Sequence, residues 1–550
     1  MLKRTGVKLQ KITDMDMLIM LELGIRGGIS QVSHRYKKAN NPYLGLDHDE
    51  EKPTNYIMYY DAVNLYGWAL SQKLPYDELE FLTDIPRSDG SSMSVCEASF
   101  HELIKYLEDQ NYGDILEVDL HYPMELHDAH NEFPLAPVKA VTPESNTEKL
   151  LLTLHDKEKY VVHYRALLKY TELGLKITKI HRVIRFREKA FMADYINTNS
   201  ELRRMTNSKS EKNTYKLMNN SNYGKTLENV RKRQDIELIT DAKRLAKVIK
   251  QVTFKSRTIF SDNLVAVHKL KREILFDKPI YIGLAVLDLS KTLMYDVHYN
   301  VMKNRYPDDQ CTLLYNDTDS LIYDIRTDDI YQDMKDFIEH FDTSCYSQDH
   351  KLYSEQNKGV VGKMKDEMSG RLITEFIALR SKCYAFLSWQ GRNKQIETKK
   401  AKGVKKSVTE LPLRFEDYKR ILFSRPTAPP MTVSQNTLKS SGHTIFSVTT
   451  EKVALSYTDD KRVLNADGIS SLAYGHYKLR TEDSVQTTTP QYSNSLLYIK
   501  SGEILIVKCA FNWLSSQVLN MVIINAVHVS IDVSDLKNFC GLILFVAFLE

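Results

Sequence analysis

Two carboxylates stand two residues apart in Tyr315-Asn316-Asp317-Thr318-Asp319-Ser320, with apolar runs on either side, Cys311-Thr312-Leu313-Leu314 and Leu321-Ile322-Tyr323. This pattern predicts a tight β-hairpin with the acids at its tip. Side chains alternate along a strand, so where the chain is extended Asp317 and Asp319 point to one face. Like charges held that close call for a cation. A hard divalent ion such as Mg²⁺ takes carboxylate oxygens and keeps water or phosphate ligands. Alone, the motif reads equally as a solvated acidic turn. A third carboxylate, Asp61, ends the strand-like run Tyr56-Ile57-Met58-Tyr59-Tyr60 and leads into Ala62-Val63-Asn64-Leu65-Tyr66-Gly67. From a neighbouring strand it can meet the hairpin acids, although an aspartate there also suits a plain turn cap.

Cations stand in a second block, Lys212 to Gly224. Lys212 and Lys216 are four apart and share a helix face, Asn220 continues that face, and Tyr223 lies one turn beyond Asn219. Such a stripe suits a triphosphate lying along a helix with a base stacked at its end, the plain alternative being a solvated basic face. A third block, Lys382-Cys383-Tyr384, sits in a strand-like run over 379–389. A lysine cluster follows it, Lys399, Lys400, Lys402, Lys405 and Lys406.

The elements that must position these groups are spread over 550 residues, enough for roughly three or four domains or subdomains. A net charge of only +4 means that any nucleic-acid surface comes from local clustering. Six cysteines with no C-x-x-C pair argue against a disulfide framework or a zinc site and suit a reducing compartment. The N-terminus lacks the apolar core of a signal peptide, and no apolar run is long enough to span a bilayer. The expectation is an intracellular protein with no membrane partner, nucleus or cytoplasm left open. Residues 199–235 predict a basic helical region and 282–302 an amphipathic helix leading to the hairpin. Residues 76–195 mix short strands, 484–490 reads as a linker, and the last 50 residues are apolar without clear order.

Taken together, these blocks resemble the family B DNA polymerases. Asp61 to Gly67 resembles motif A, D-x-x-S-L-Y-P. Lys216 to Gly224 matches motif B, K-x-x-x-N-S-x-Y-G, and Tyr315 to Ser320 matches motif C, Y-x-D-T-D-S. Lys382-Cys383-Tyr384 fits the K-x-Y motif. Gly24-Ile25-Arg26-Gly27-Gly28 resembles the Y-x-G-G motif of the protein-primed branch, with Ile25 in place of tyrosine. Finer wording, over about residues 14–480, resembles the organellar and viral type carried by Maverick/Polinton-like elements.

The resemblance implies an α+β fold, a right-hand palm, fingers and thumb with an antiparallel palm sheet. Residues 1–75 would hold the first palm part with the glycine motif and motif A, and 76–195 a palm insertion with room for a terminal protein. Residues 196–262 would form the fingers with motif B and a following insertion, 263–398 the palm with motif C and K-x-Y, 399–480 the thumb, and 481–550 an atypical tail. It implies DNA-directed DNA synthesis on a primer 3′-hydroxyl by two-metal phosphoryl transfer, for replicating a viral or mobile element. The cofactor would be Mg²⁺, two ions, with Mn²⁺ able to substitute. The partners would be template-primer DNA, deoxynucleoside triphosphates and a terminal protein primer.

Asp61, Asp319 and Asp317 would be catalytic, the metals being held by Asp61, Asp319, the Ala62 carbonyl and, more weakly, Asp317. Lys212, Lys216, Arg204 and Asn220 would bind the nucleotide, with Tyr66 beneath its sugar and Tyr223 against the base. Gly27, Gly28, Ser221, Gly224, Thr318, Lys382, Tyr384, Lys400 and Lys402 would contact primer or template. Motif A departs from its pattern at Asn64 and Gly67, which reshapes the turn without removing a ligand. The glycine motif comes too early to be preceded by an exonuclease domain, and the N-terminal D-x-E, Asp49-Glu50-Glu51, falls in a polar loop after it. Proofreading is therefore expected to be absent. The competing reading is a truncated, inactive relic that at most binds DNA. Reverse transcriptases, with adjacent acids in their hairpin and no such motif B, fit less well.

Overall fold

Asn55–Ala62 is the strand around which the molecule is built. Tyr56, Met58, Tyr60 and Ala62 enter one buried cluster with Leu313, Leu321, Tyr323 and Ile325. Ile57 and Tyr59 pack on the opposite side with Leu314, Ile322, Phe376 and Phe386. A strand buried on both faces shows a continuous apolar run rather than alternation, as the sequence does here. Asp61 belongs to the second face, where the apolar packing gives out.

The sheet has nine strands, every pairing antiparallel. In space the order is Ser30–Val32, Cys311–Asp317, Ser320–Arg326, Asn55–Ala62, Ile373–Arg380, Cys383–Gln390 and Lys394–Ala401. Met364–Asp366 also pairs with Asn55–Ala62, and Tyr36–Lys38 with Ile373–Arg380. Four segments remote in sequence, carrying the glycine motif, motif A, motif C and K-x-Y, are thus neighbours. The computed structural model describes residues 2–479 apart from 87–90, 98–99, 101, 103–111, 144, 391–393, 411 and 425–428. Beyond them it describes only Gln486–Thr487, Tyr498–Lys500 and Glu503–Leu505. The chain divides into Met1–Thr487 and Thr488–Glu550. The expected linker and apolar tail lie almost wholly outside the described residues.

Ile280–Tyr295 packs over most of its length in a further buried cluster with Leu18, Leu70 and Phe186, and its end, continued by the π-helical stretch Asp296–Met302, enters the first cluster. It is buried nearly all round rather than amphipathic as expected. Its polar residues are paired inside, as burial requires. Asp288 Oδ2 accepts from the His163 N–H at 3.0 Å, and Lys291 Nζ donates to the Arg26 and Leu287 carbonyls at 2.8 and 3.1 Å. Arg26 in turn lies 3.8 Å over the Tyr160 ring and donates to the Val161 carbonyl at 2.7 Å. The helix therefore anchors the glycine motif.

A second antiparallel sheet, in the order Lys157–His163, Tyr112–His121, Lys176–Lys189, Leu74–Leu82, occupies the stretch between motifs A and B. The basic region expected as one helical stretch is two helices, Ala193–Met205 and Lys209–Thr226. Ser208 caps the second, accepting from the Glu211 N–H at 3.4 Å, and Asn199 donates to Asn219 at 2.9 Å between the two helices. Further on come a three-stranded sheet, Asp235–Ile239, Leu264–Lys269 and Phe254–Ser261, and a long hairpin, Met431–Ser441 with Thr444–Leu455. Among the described residues no helix is long and apolar enough to cross a membrane.

Candidate active site

Asp317 stands opposite Ser320, so Thr318 and Asp319 form the turn of the motif C hairpin. Thr318 has φ 60°, uncommon for a β-branched residue. It is held there by its N–H, which donates to the Ile29 carbonyl at 2.7 Å. Gly28 makes room for it, since a Cβ there would lie 2.4 Å from Thr318 Oγ1 and 2.7 Å from its Cγ2. A Cβ at Gly27 would meet nothing within 4 Å.

The turned backbone gives the two acids different partners, although their charges still meet: besides burial, Asp317 raises Asp319, and both raise the Tyr66 hydroxyl. Asp317 meets Lys382, whose Nζ is 2.6 Å from Oδ2, and accepts from the Tyr315 hydroxyl at 3.2 Å. Expected among the metal ligands, Asp317 is thus already partnered. Asp319 is tied by its backbone to the motif A strand: the Ala62 N–H donates to its carbonyl at 2.7 Å, and Ser320 pairs with Asp61, so the turn residue Asp319 lies beside the end of the Asp61 strand. Among the described residues neither has an ion-pair partner.

Their titration reflects this. Burial, then Asp319 and then Glu367, push the Asp61 carboxyl up to about 8. Burial and the charge of Asp317 raise Asp319. Lys216 opposes both shifts, and Lys365, directly across the sheet from Asp61, opposes the first. Sequence reading missed Lys365 and Glu367. They sit in and just after a three-residue strand within a charged segment, and no spacing marks them.

Lys382 is itself a turn residue, with φ 60°, between Arg380 and Cys383. Its N–H donates to the Tyr315 hydroxyl at 3.1 Å, Ser381 Oγ donates to Ser30 Oγ at 2.8 Å, and Ser30 Oγ is 3.3 Å from the same hydroxyl. Glycine-motif strand, motif C and K-x-Y are therefore tied by one hydrogen-bonded cluster. Tyr384 is buried, its ring 4.9 Å from that of Tyr315. Lys400 pairs with Tyr384 across the strands, and the Lys402 N–H donates to the Lys382 carbonyl at 3.0 Å. Lys461, which no motif pointed to, donates to the Ser30 carbonyl at 2.7 Å, and burial lowers it to about 8.

Tyr66 lies in the helix Leu65–Ser71 that follows motif A. Its ring stacks on Tyr223 at 4.3 Å and 16°, joining this helix to the motif B helix. Lys216 is on that helix, and Lys212 is exposed one turn before it. Asn220 Oδ1 is buried and has no hydrogen-bond partner. Ser221 and Gly224 are exposed, with open space where a Cβ at Gly224 would be. Arg204 turns to the loop after motif C, its guanidinium 3.4 Å from the Lys358 carbonyl.

Residues 47–303, which carry motifs A and B, match the family model of DNA polymerase type B, organellar and viral. That stretch, just under half of the chain, is similar to the type B DNA polymerases. Among solved structures, an orthorhombic crystal form of Phi29 DNA polymerase superposes with TM-score 0.50 at 12% identity, over 82% of this chain and 65% of that one. Phi29 DNA polymerase with primer-template DNA and incoming nucleotide gives 0.49 at the same identity and shares. At that identity the likeness is one of fold, a polymerase right hand. The chain spans just under two thirds of the length of these structures. No curated protein matches the sequence.

Asp61 and Asp319 offer a suitable donor set for Mg²⁺. Among the described residues no three His, Cys, Asp or Glu side chains gather into a cage. Two carboxylates without cationic partners, open towards a lysine-bearing helix, match an ion that takes one or two protein carboxylates and completes its shell with phosphates and water.

Proposed function

We propose that the chain is a DNA-directed DNA polymerase that adds deoxynucleotides to a primer 3′-hydroxyl. The observation that carries this reading is the adjacency of Asp61 and Asp319, both raised by burial and neighbouring negative charge, beneath the motif B helix. Asp61, Asp319 and the Ala62 carbonyl would hold two Mg²⁺ ions, with Mn²⁺ able to substitute. Bound there, the metals activate the attacking hydroxyl and neutralise charge on the leaving pyrophosphate.

The chain's own residues do the positioning. Lys216 and Lys212 bind the triphosphate along the motif B helix, and Asn220 offers it a polar contact. Tyr66, braced by Tyr223, forms the floor under the sugar and excludes a 2′-hydroxyl. Lys382, steered by Asp317, holds the primer end with Tyr384, while Lys400, Lys402, Gly27, Gly28, Ser221 and Gly224 line the path of template and primer. The role we propose is replication of a viral or mobile element with a terminal protein as primer, a reading supported by the match of residues 47–303 to the organellar and viral type.

Primer extension with Mg²⁺ tests this reading. The wild-type chain should extend a primed DNA template, and Asp61→Ala and Asp319→Ala should each abolish extension while retaining DNA binding. Substantial synthesis by either variant would overturn the assignment. DNA binding without extension by the wild type would favour an inactive relic.

A further inference from the structure

Motif A departs from its pattern at two residues, Asn64 and Gly67, and these two touch. Asn64 is the N-cap of the helix Leu65–Ser71 with a left-handed backbone, φ 48° and ψ 60°, which asparagine tolerates better than most residues. Its Oδ1 accepts from the Gly67 N–H at 3.3 Å. A Cβ at position 67 would lie 2.1 Å from Asn64 Nδ2, 2.6 Å from Cγ and 2.9 Å from Oδ1. The amide fills the space that any other residue at 67 would need. The amide could swing aside, but it would then give up the cap. A proline at 67 would remove the capped N–H as well. The capping side chain at 64 therefore requires glycine at 67.

Tyr66 lies between the two, in the first turn that the cap fixes. We propose that Asn64 and Gly67 act as one positioning unit that sets where Tyr66 holds its ring against Tyr223, and so how strictly the site rejects a ribonucleotide. This inference rests on the polymerase reading above. Asn64 and Gly67 touch neither nucleotide nor metal. They act through the direction of the helix, which carries the Tyr66 ring to its 4.3 Å stack. A change at either one moves the gate without altering its chemistry.

The test is a cycle of Gly67→Ala, Asn64→Gly and the double variant, with Tyr66→Ala as the open-gate control. The readout is the ratio of kcat/KM for a deoxynucleotide to that for its ribonucleotide. Gly67→Ala should lower the ratio about tenfold in the wild-type background and less than about twofold in the Asn64→Gly background, where no amide remains to be displaced. Asn64→Asp, which keeps the capping oxygen, should preserve the wild-type ratio. Equal effects of Gly67→Ala in both backgrounds, or no effect in the first, would overturn the coupling. Thermal melts of the wild type and the three cycle variants report that coupling independently of activity. If the wild type extends no primer, the polymerase reading fails and the ribose inference falls with it. If it extends normally while the ratio stays fixed, only the inference fails.

Discussion

Replacing Asp61 by asparagine should stabilise the metal-free protein, although it removes a carboxylate that the proposed reaction needs. An ordinary aspartate titrates at 3.8, whereas Asp61 is pushed up to about 8. Between those values the native state keeps a proton that the unfolded chain has released, so stability falls as pH rises through that window. About four pH units at 1.36 kcal/mol each give about 6 kcal/mol as an upper limit. An effective interior dielectric near 20, with water entering the open cleft, reduces this to about 2–3 kcal/mol. The substituted amide cannot ionise and escapes the penalty. Denaturant unfolding in EDTA should show Asp61→Asn and wild type alike near pH ~3.5, below both values. At pH 9 the variant should be more stable by about 2–3 kcal/mol, and Mg²⁺ should narrow that gap by stabilising the wild type alone. Asp319→Asn should act with the same sign, because burial and the charge of Asp317 raise Asp319 as well. A variant no more stable than wild type at pH 9 in EDTA would refute the argument that these carboxylates are held in mutual, uncompensated charge.

Gly28→Ala places a Cβ against Thr318 and should cost about 1–3 kcal/mol in urea unfolding. Adding Thr318→Gly should recover most of that loss. Lys382→Met should slow primer extension and cost roughly 1 kcal/mol, since the ion pair is partly exposed. The double variant Lys382→Met/Asp317→Asn should be the more stable of the two, because no carboxylate is then left without its partner. Lys216→Ala should lower kcat/KM for the incoming nucleotide at least about 100-fold in steady-state extension, through loss of a cation from the phosphate site. It should leave the affinity for primed DNA within about threefold, as the same measurement with DNA varied would show.

The strands that carry the chemistry were legible because each is an apolar run broken by an acid or a lysine at its end. Tyr56 to Asp61 and the two arms of the Cys311–Arg326 hairpin are of this kind, and the antiparallel sheet follows from their kinship to known motifs. The buried helix Ile280–Tyr295 was misread as amphipathic because Asp288 and Lys291 look like a polar face. Their partners, the His163 N–H and the Arg26 carbonyl, lie far off in sequence. Lys365 and Lys461 were invisible for the same reason. A short strand pairing places one across from Asp61, and a single bond to Ser30 places the other near the hairpin. What the sequence conveys well is local periodicity, and what it hides is the identity of cross-chain partners.

The D-x-D spacing shows how much a single backbone angle can change. Period-two alternation makes Asp317 and Asp319 equivalent, two acids on one face and two candidate ligands. The left-handed Thr318 removes that equivalence, because the chain turns between them. Asp317 has Lys382 as its partner, whereas Asp319 is held by its backbone at Ala62, beside Asp61, with no lysine of its own among the described residues. With Asp317 neutralised by a lysine, the charge left for a cation is that of two carboxylates, which suits an ion that must also accept a triphosphate. Gly28 is what permits the turn, so the glycine motif controls how the acids divide. Moving Thr318 out of the left-handed region would do more than loosen a hairpin. It would draw Asp317 from Lys382 and leave beside Asp61 and Asp319 a third carboxylate with no cation to offset it.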